Sequence, residues 1–200
     1  MLRVIQKKKL SSKELINIID LIKKENPYSI FANLRKKTLV KILNLILETE
    51  NIILYVGKFR KKIVAYALFI KKLDLFFLKN IKFIFEIIFY IILKGNYNML
   101  IVLILSFFKI DTIFLPLKTK KLIRESLNLH LLAVDKKFQN KGFGTFFLRT
   151  IFKYLKNYKF ISLEAYDPRA LYFYKKKFNF EEKGKKFRLT NSYKILIRKN

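Results

Sequence analysis

The chain lacks cysteine and has one histidine, His130, among its 200 residues. Without cysteine it can form no disulfide, bind no metal through thiolates and use no cysteine nucleophile. One histidine likewise excludes a multi-histidine metal site, so we expect no bound metal. A cysteine-free composition suits a reducing compartment, and we expect the protein to be cytoplasmic.

Acidic residues are also scarce. Asp and Glu number 14 against 43 Lys and Arg, which gives a formal net charge of +29. This charge attracts anionic ligands, among them nucleic acid, anionic lipid, nucleotide sugars and coenzyme A, without choosing between them. A coding sequence rich in A and T would produce the same bias toward lysine. With 52% hydrophobic residues the chain can bury a core, and we expect residues 1–200 to form a single domain.

Long uninterrupted apolar runs are missing as well. Residues 1–10 include three consecutive lysines and lack the apolar stretch of a secretory signal, so none is expected. Apolar runs at 87–93 and 99–108 each fall short of the roughly 18 residues that span a bilayer. We interpret residues 73–115 as an insert of two hydrophobic helices packed on the core. A substrate lid, a homodimer face and a peripheral membrane contact stay open for this segment.

Hydrophobic periodicity predicts helices and strands along the rest of the chain. Ser11 and Glu14 have the spacing of a capping box before a helix that ends near Lys24, and a second helix covers 39–46. Strands at 52–56 and 62–70 are expected to form a hairpin joined near Gly57. After the insert, we predict strands at 128–134, 160–164, 178–187 and 189–198 and helices at 144–157 and 168–177.

A polar turn with two glycines follows the predicted strand at 128–134. Residues 139–145 read QNKGFGT and lead into an amphipathic helix. A strand, a glycine turn and a helix in this order aim several backbone N–H groups at one point, which suits a pyrophosphate. The complete Rossmann and Walker patterns do not occur here, so those nucleotide-binding folds are disfavoured.

This turn resembles the acetyl-CoA motif of the GNAT superfamily of acetyltransferases, Q/R-x-x-G-x-G/A, through Gln139, Gly142 and Gly144. A second GNAT motif, N-x-x-A-x-x-x-Y, has a counterpart in Asp167, Ala170 and Tyr174. The two motifs together cover about residues 128–182.

The second motif departs from the family pattern at two places. Asp167 replaces the usual asparagine, and the family's terminal Gly-Phe appears as Asn179 and Phe180, one residue further from Tyr174. Asparagine can adopt the left-handed conformation that glycine supplies after a helix, so we expect Asn179 to serve in its place.

The resemblance implies a mixed α/β fold with a mostly antiparallel central sheet flanked by helices, and places the insert between the third and fourth strands. It also implies an acetyl-CoA-dependent N-acetyltransferase, with the pyrophosphate on the turn and the thioester between strands 128–134 and 160–164. The residues that it assigns to acetyl-CoA binding are Leu132, Val134, Gln139, Asn140, Lys141, Gly142, Phe143, Gly144, Thr145, Asp167 and Tyr174.

The resemblance also suggests catalytic roles. Asn128 stands where the family often has an acidic base, so Glu125 and His130 are the substitute candidates for deprotonating an acceptor amine. Tyr174 is the candidate acid for the departing thiolate, with Tyr172 and Tyr166 as alternatives. Because there is no cysteine, we expect direct transfer in a ternary complex.

The acceptor amine has no decisive sequence signature. The positive charge favours an acidic acceptor, such as an amino sugar or sugar nucleotide, over a free polyamine, and a peptide amine stays open. We expect no nucleic-acid partner for the enzyme. The competing interpretation is a non-catalytic basic protein that binds a membrane surface or nucleic acid.

Overall fold

A computed structural model of the chain describes residues 2–27, 30–71, 88–89, 92, 97, 100–101, 112–188 and 191–200. The predicted pair of hydrophobic helices within 73–115 lies mostly outside these residues. At 88–89, 92, 97 and 100–101, where the segment is described, the backbone is helical. Among the described residues, no helix is long and apolar enough to cross a membrane.

Seven strands form one sheet in the order β1-β2-β3-β4-β5-β7-β6. The pairs β1–β2, β2–β3, β5–β7 and β6–β7 are antiparallel. The predicted mixed α/β fold with a mostly antiparallel sheet is confirmed. The strands are β1 Arg3–Lys7, β2 Ile52–Phe59, β3 Lys62–Ile70, β4 Leu127–Val134, β5 Phe160–Ala165, β6 Glu181–Arg188 and β7 Asn191–Lys199.

Within the described residues, six helices have defined bounds. They are α1 Ser12–Glu25, α2 Ile30–Asn33, α3 Lys36–Glu48, α4 Leu117–Glu125, α5 Phe143–Tyr154 and α6 Pro168–Phe178, with a 3-10 turn at Lys136–Phe138. Two compact units emerge, one from residues 1–71 and 129–157 and the other from 72–128 and 158–200.

In the first unit, two amphipathic helices bury their apolar stripes. Helix α1 starts with the predicted capping box, in which Ser11 and Glu14 satisfy each other's backbone N–H. Its buried residues recur every three or four positions, as do those of α3, which gives each helix one apolar face. Strand β3 is buried from Ile63 to Ile70 without alternation, as expected for a strand covered on both faces.

The β2–β3 hairpin corrects one sequence prediction. The turn lies at Arg60 and Lys61, which have positive φ values of 47° and 68°, and not near Gly57. Gly57 instead lies within β2, where a Cβ atom would be 3.2 Å from Ala65 Cβ and 3.2 Å from Phe147 Cδ2. Glycine is needed there because it lets α5, which carries Phe147, approach the sheet closely.

In the second unit, α4 covers part of the sheet. Leu115, Ile195 and Ile197 form a buried cluster against which Leu122 and Ile123 pack. The hydroxyl of Thr119 donates to the carbonyl of Lys183 at 2.8 Å. The sequence analysis did not predict α4, because most of its residues are polar or charged and only a narrow face, with Leu122 and Ile123, packs on the core.

The first turn of α1 contains a half-buried carboxylate, Glu14, whose pKa leads to a pH prediction. Its oxygens lie 3.0 Å from Lys7 Nζ and 2.6 Å from Lys58 Nζ. They also accept the Ser11 N–H at 3.0 Å. Burial alone would raise the pKa of Glu14, but these partners lower it to about 2 from 4.5. The stabilisation is therefore present above about pH 4.5 and is lost as the pH falls toward 2.

We expect Glu14→Gln to lower the free energy of unfolding at neutral pH by up to about 3 kcal/mol and to flatten the acid side of the stability curve. Urea unfolding across that pH range measures both effects. Glu48→Gln is the control, because Glu48 is exposed on α3 and has no ion-pair partner among the described residues. An unchanged pH dependence in Glu14→Gln would contradict the assignment.

Candidate functional site

The segment between β4 and α5 changes direction through two left-handed residues. After the 3-10 turn, Asn140 has φ 57° and Gly142 has φ 77° with ψ −5°. Gly142 is the N-cap of α5, and its carbonyl accepts the Phe146 N–H at 2.9 Å. A Cβ at Gly142 would meet nothing within 4 Å, so the need for glycine comes from backbone conformation and not from crowding.

Backbone donors are concentrated in this segment, which we call the β4–α5 loop (residues 135–145). From Asn140 to Thr145, no backbone N–H has a hydrogen-bond partner in the described part of the chain. The first turn of α5 has no acidic residue, and Gly142 provides no side-chain cap. The positive end of the α5 dipole is therefore left uncompensated, which suits an anion.

Cationic side chains border these donors. Lys136, Lys137 and Lys141 are exposed, and Lys141 has no ion pair among the residues described. Gly142 is exposed as well, and Gly144 is half-buried. The loop is thus an accessible group of unpaired backbone donors bordered by lysine side chains.

A carboxylate from α1 accepts two hydrogen bonds from the loop. Glu25 Oε1 accepts the Lys136 N–H at 3.1 Å, and Glu25 Oε2 accepts Gln139 Nε2 at 2.9 Å. The same Gln139 nitrogen donates to the Val134 carbonyl at 2.7 Å. The side chain of Gln139 therefore fixes the loop to the end of β4 and to α1.

Asp135 adds a second acidic support at the end of β4. Its N–H donates to the Val64 carbonyl at 2.8 Å, and its carboxylate accepts the Lys137 N–H at 3.0 Å. Lys24 Nζ lies 3.5 Å from the Asp135 carboxylate and 3.4 Å from that of Glu25. Burial alone would raise the pKa of Asp135, but the Lys137 N–H and the Lys24 ammonium hold it below its usual value.

Three aromatic rings, two of them from the loop, pack together. Phe138 lies 4.9 Å from Phe143 and 5.3 Å from Phe59, and the Phe59–Phe143 separation is 6.0 Å, all edge-to-face. This geometry is favourable for aromatic pairs. The half-buried ring of Phe143 therefore packs against Phe59 and Phe138, while its backbone N–H belongs to the donor group.

The other predicted residues of this unit lie on β4. Leu132 and Val134 are half-buried, and the Val134 carbonyl receives Gln139 as described. His130 is exposed, and its ring meets Phe31 edge-on at 6.4 Å. His130 thus has the exposure that a proton acceptor needs.

In the second unit, Asp167 is the N-cap of α6. Its Oδ1 accepts the N–H groups of Arg169 at 2.8 Å and Ala170 at 3.0 Å, and Pro168 occupies the first helical position. The helix ends at Asn179, which is left-handed with φ 55° and ψ 37°, as predicted for the residue that replaces glycine. The second motif therefore forms a helix that is capped at both ends.

Tyr174 lies on the buried face of α6. Its ring packs edge-on against Phe173 at 5.3 Å and Phe180 at 5.7 Å, and 9% of the residue is exposed. Burial raises the pKa of its phenol, so the group stays protonated at neutral pH. The hydroxyl has no hydrogen-bond partner within the described ranges. Tyr172, by contrast, is exposed.

The start of β4 has a neutral polar cluster where the family often has an acid. Ser126 Oγ donates to Ser162 Oγ at 2.6 Å, and Asn128 Nδ2 donates to the same Ser162 oxygen at 3.2 Å. Glu125 is the last residue of α4 and is exposed, and its side chain has no ion pair or hydrogen bond within the described residues.

Sequence reasoning missed Glu25, Phe59 and Phe138 as parts of the loop's support. Glu25 lies 114 positions before Gln139 in the chain, and no local pattern marks that contact. The aromatic residues at the turn gave a weak signal, because three rings cluster only after the β2–β3 hairpin has formed.

A family model described as the acetyltransferase (GNAT) family matches residues 121–180, which contain the β4–α5 loop and Tyr174. No curated protein matches the chain by sequence. The chain thus carries a match to the GNAT family model at residues 121–180 and shares its fold with solved structures of GNAT acetyltransferases. It is therefore an enzyme of the acetyl-CoA-dependent N-acetyltransferase class.

Several solved structures share the fold across nearly the whole chain. The PH1933 protein from Pyrococcus horikoshii OT3 is 18% identical with a TM-score of 0.63, over 100% of this chain and 99% of that chain. Spermidine N-acetyltransferase from Vibrio cholerae, solved with CoA and spermine, is 14% identical with a TM-score of 0.61, over 99% and 95%. Ribosomal-protein-S18-alanine N-acetyltransferase from Escherichia coli is 13% identical with a TM-score of 0.59, over 100% and 94%.

Proposed function

We propose that this N-acetyltransferase binds the pyrophosphate of acetyl-CoA on the β4–α5 loop and transfers the acetyl group directly to a primary amine. The observation that carries the proposal is the run of unpartnered N–H groups from Asn140 to Thr145 at the start of α5. Six donors and a helix dipole stabilise an anion, and none of residues 140–145 is acidic. Lys141 adds a mobile positive charge.

The family resemblance gives the rest of the acetyl-CoA assignment. Backbone groups near Leu132 and Val134 would hold the pantetheine arm, and an N–H there would polarise the thioester carbonyl. Gln139 and Asp167 would contribute through the backbone conformations that their side chains fix, since both side chains already accept or donate hydrogen bonds within the protein.

Deprotonation of the acceptor amine falls to Glu125 or His130 in this proposal. An ammonium with a pKa near 10 needs a base or a water relay before it can attack. Asn128 and Ser162 cannot serve, because a neutral amide and a hydroxyl have no useful basicity at neutral pH. Both candidate bases are exposed and therefore within reach of solvent water.

We propose an acceptor amine on an anionic molecule, such as an amino sugar linked to a nucleotide. The net charge of +29 repels polyamines and attracts phosphate-bearing molecules. The Vibrio cholerae relative is named for spermidine and the Escherichia coli relative for a ribosomal-protein alanine, so proteins of this fold differ in acceptor. Charge is the property of this chain that separates these classes.

Acetyl-CoA should stabilise the folded protein. A concentration of about 100 times Kd adds about 2.7 kcal/mol, which raises Tm by roughly 5–10 °C for a chain of this length. Gly142→Asp should weaken acetyl-CoA binding about tenfold or more, because it places a carboxylate among the loop donors. Gly142→Asn should retain most of the affinity, since asparagine tolerates the left-handed conformation and adds no charge. Calorimetry with each variant measures the difference.

This pair of variants also distinguishes specific binding from general attraction to polyanions. An oligonucleotide and inorganic pyrophosphate are compared with acetyl-CoA at low and high salt, since non-specific phosphate binding fades with salt. Equal affinities of Gly142→Asp and Gly142→Asn for acetyl-CoA would exclude the loop as the pyrophosphate site. A response to the oligonucleotide alone would support the non-catalytic alternative.

Tyr174→Phe should lower kcat roughly 100-fold and leave acetyl-CoA affinity unchanged, because it removes the proposed proton donor and keeps the buried ring. The rate is measured with the acceptor found in a screen of amino sugar nucleotides, peptides and polyamines. Tyr172→Phe is the matched control on the exposed side of α6. A Tyr174→Phe enzyme with the wild-type rate would remove Tyr174 from the mechanism.

A surface contact with anionic membranes is a second proposal. Ile113, Phe114 and Leu117 are 58%, 90% and 83% exposed, although the neighbouring Leu115 is buried and fixes the segment. Lys118 and Lys121 are exposed beside them at the start of α4. Apolar side chains next to lysines suit a lipid surface. The apolar side chains enter the bilayer interface, and the lysines bind the anionic headgroups. Two copies of so basic a chain would repel each other at this surface.

Phe114→Ser should reduce binding to vesicles of phosphatidylserine and phosphatidylcholine roughly tenfold, because an inserted Phe contributes about 1.5–3 kcal/mol. Phe187→Ser is the control, since Phe187 is 64% exposed on β6. Cosedimentation measures the bound fraction. Equal losses in both variants, or equal binding to vesicles of phosphatidylcholine alone, would contradict this contact.

A further inference from the structure

Glu25 forms a polar link between two segments that are far apart in sequence. It is the last residue of α1, and its carboxylate receives one hydrogen bond from each end of the 3-10 turn. The donors are the Lys136 backbone N–H at 3.1 Å and Gln139 Nε2 at 2.9 Å. We call this arrangement the Glu25 latch.

The latch acts at the position where the loop turns. Gln139 Nε2 also donates to the Val134 carbonyl, and Asn140, the next residue, is left-handed. The side chain of Gln139 is thereby fixed at two points just before the backbone enters the donor run. Without the Glu25 oxygen, one of these two points is lost.

A carboxylate suits this position better than an amide. Both donors point at it, and a carboxylate only accepts, whereas a glutamine would direct its own NH2 group at one of them. The side chain of Glu25 is 10% exposed, and Lys24 Nζ lies 3.4 Å from Oε1, which offsets the buried negative charge. The chain thus places one of its 14 acidic residues next to a loop proposed to bind an anion.

We propose that Glu25 is a positioning residue for acetyl-CoA binding, which holds the β4–α5 loop in its donor-exposing conformation before the ligand arrives. The inference rests on the proposed function of that loop. A preordered loop loses little conformational freedom on binding, so the latch raises affinity without touching the ligand. Its effect appears in the affinity and KM for acetyl-CoA, and kcat stays close to the wild-type value.

The test compares two variants that remove one negative charge from the same helix. Glu25→Gln should raise the Kd and KM for acetyl-CoA about tenfold with kcat within about twofold. Asp20→Asn should leave both unchanged, because Asp20 is an exposed residue of α1 that pairs with Lys36 and does not contact the loop. Calorimetry gives Kd for both variants.

A double-mutant cycle distinguishes the latch from a general structural effect. Gln139→Ala should weaken acetyl-CoA binding in the wild-type background and have a smaller further effect in Glu25→Gln, because the contact with Glu25 is already impaired there and only the contact with the Val134 carbonyl is left to lose. If Glu25→Gln lowers Tm but leaves Kd unchanged, the residue is structural only and the proposal is wrong. Additive effects on Kd would also overturn it.

The failure of the proposed function would look different. If the wild-type protein shows no acetyl-CoA binding, the loop assignment and the positioning role fall together. If the wild type binds and the Gly142 variants respond as expected, but Glu25→Gln binds as tightly as wild type, only the positioning role falls.

Discussion

Helix α5 begins without a side-chain cap and leaves the backbone N–H groups at its start unpaired, and the proposed acetyl-CoA site depends on this condition. The first backbone N–H groups of a helix have no partner within the helix, and a nearby side chain often accepts a hydrogen bond from them. Here glycine at the N-cap removes the usual side-chain acceptor, and two left-handed residues direct the chain outward. The cluster of Phe59, Phe138 and Phe143 and the Glu25 latch both contact the loop and restrict its conformation.

The scarce carboxylates serve mainly to join elements within each unit. With 43 Lys and Arg against 14 Asp and Glu, acidic side chains are few, and several of them lie where two elements meet. Glu14 joins α1 to β1 and β2, and Glu182 accepts from Lys175 of α6 and Lys194 of β7. Glu164 pairs with the buried Lys186, which links β5 to β6. Because basic residues far outnumber acidic ones, the protein carries a strong positive charge.

Local patterns in the sequence predicted what local forces determine. The capping box of α1, the glycine turn before α5 and the left-handed Asn179 each follow from a few adjacent residues, and the structure has all three. The hairpin turn was placed wrongly because Gly57 looks like a turn residue, whereas its role is to admit Phe147 across the sheet. Strand β1 is short and exposed, and it exists because β2 offers it an edge. Contacts such as the Glu25 latch depend on folding and leave no periodic trace.

The close approach at Gly57 has a mechanical consequence. Phe147 lies one turn into a helix about 18 Å long, next to the end that carries the donors. The packing of Phe147 against Gly57 therefore sets how closely the start of α5 approaches the β2–β3 hairpin. Core substitutions that change this packing would therefore alter the orientation of α5, and with it the affinity of the loop for its ligand.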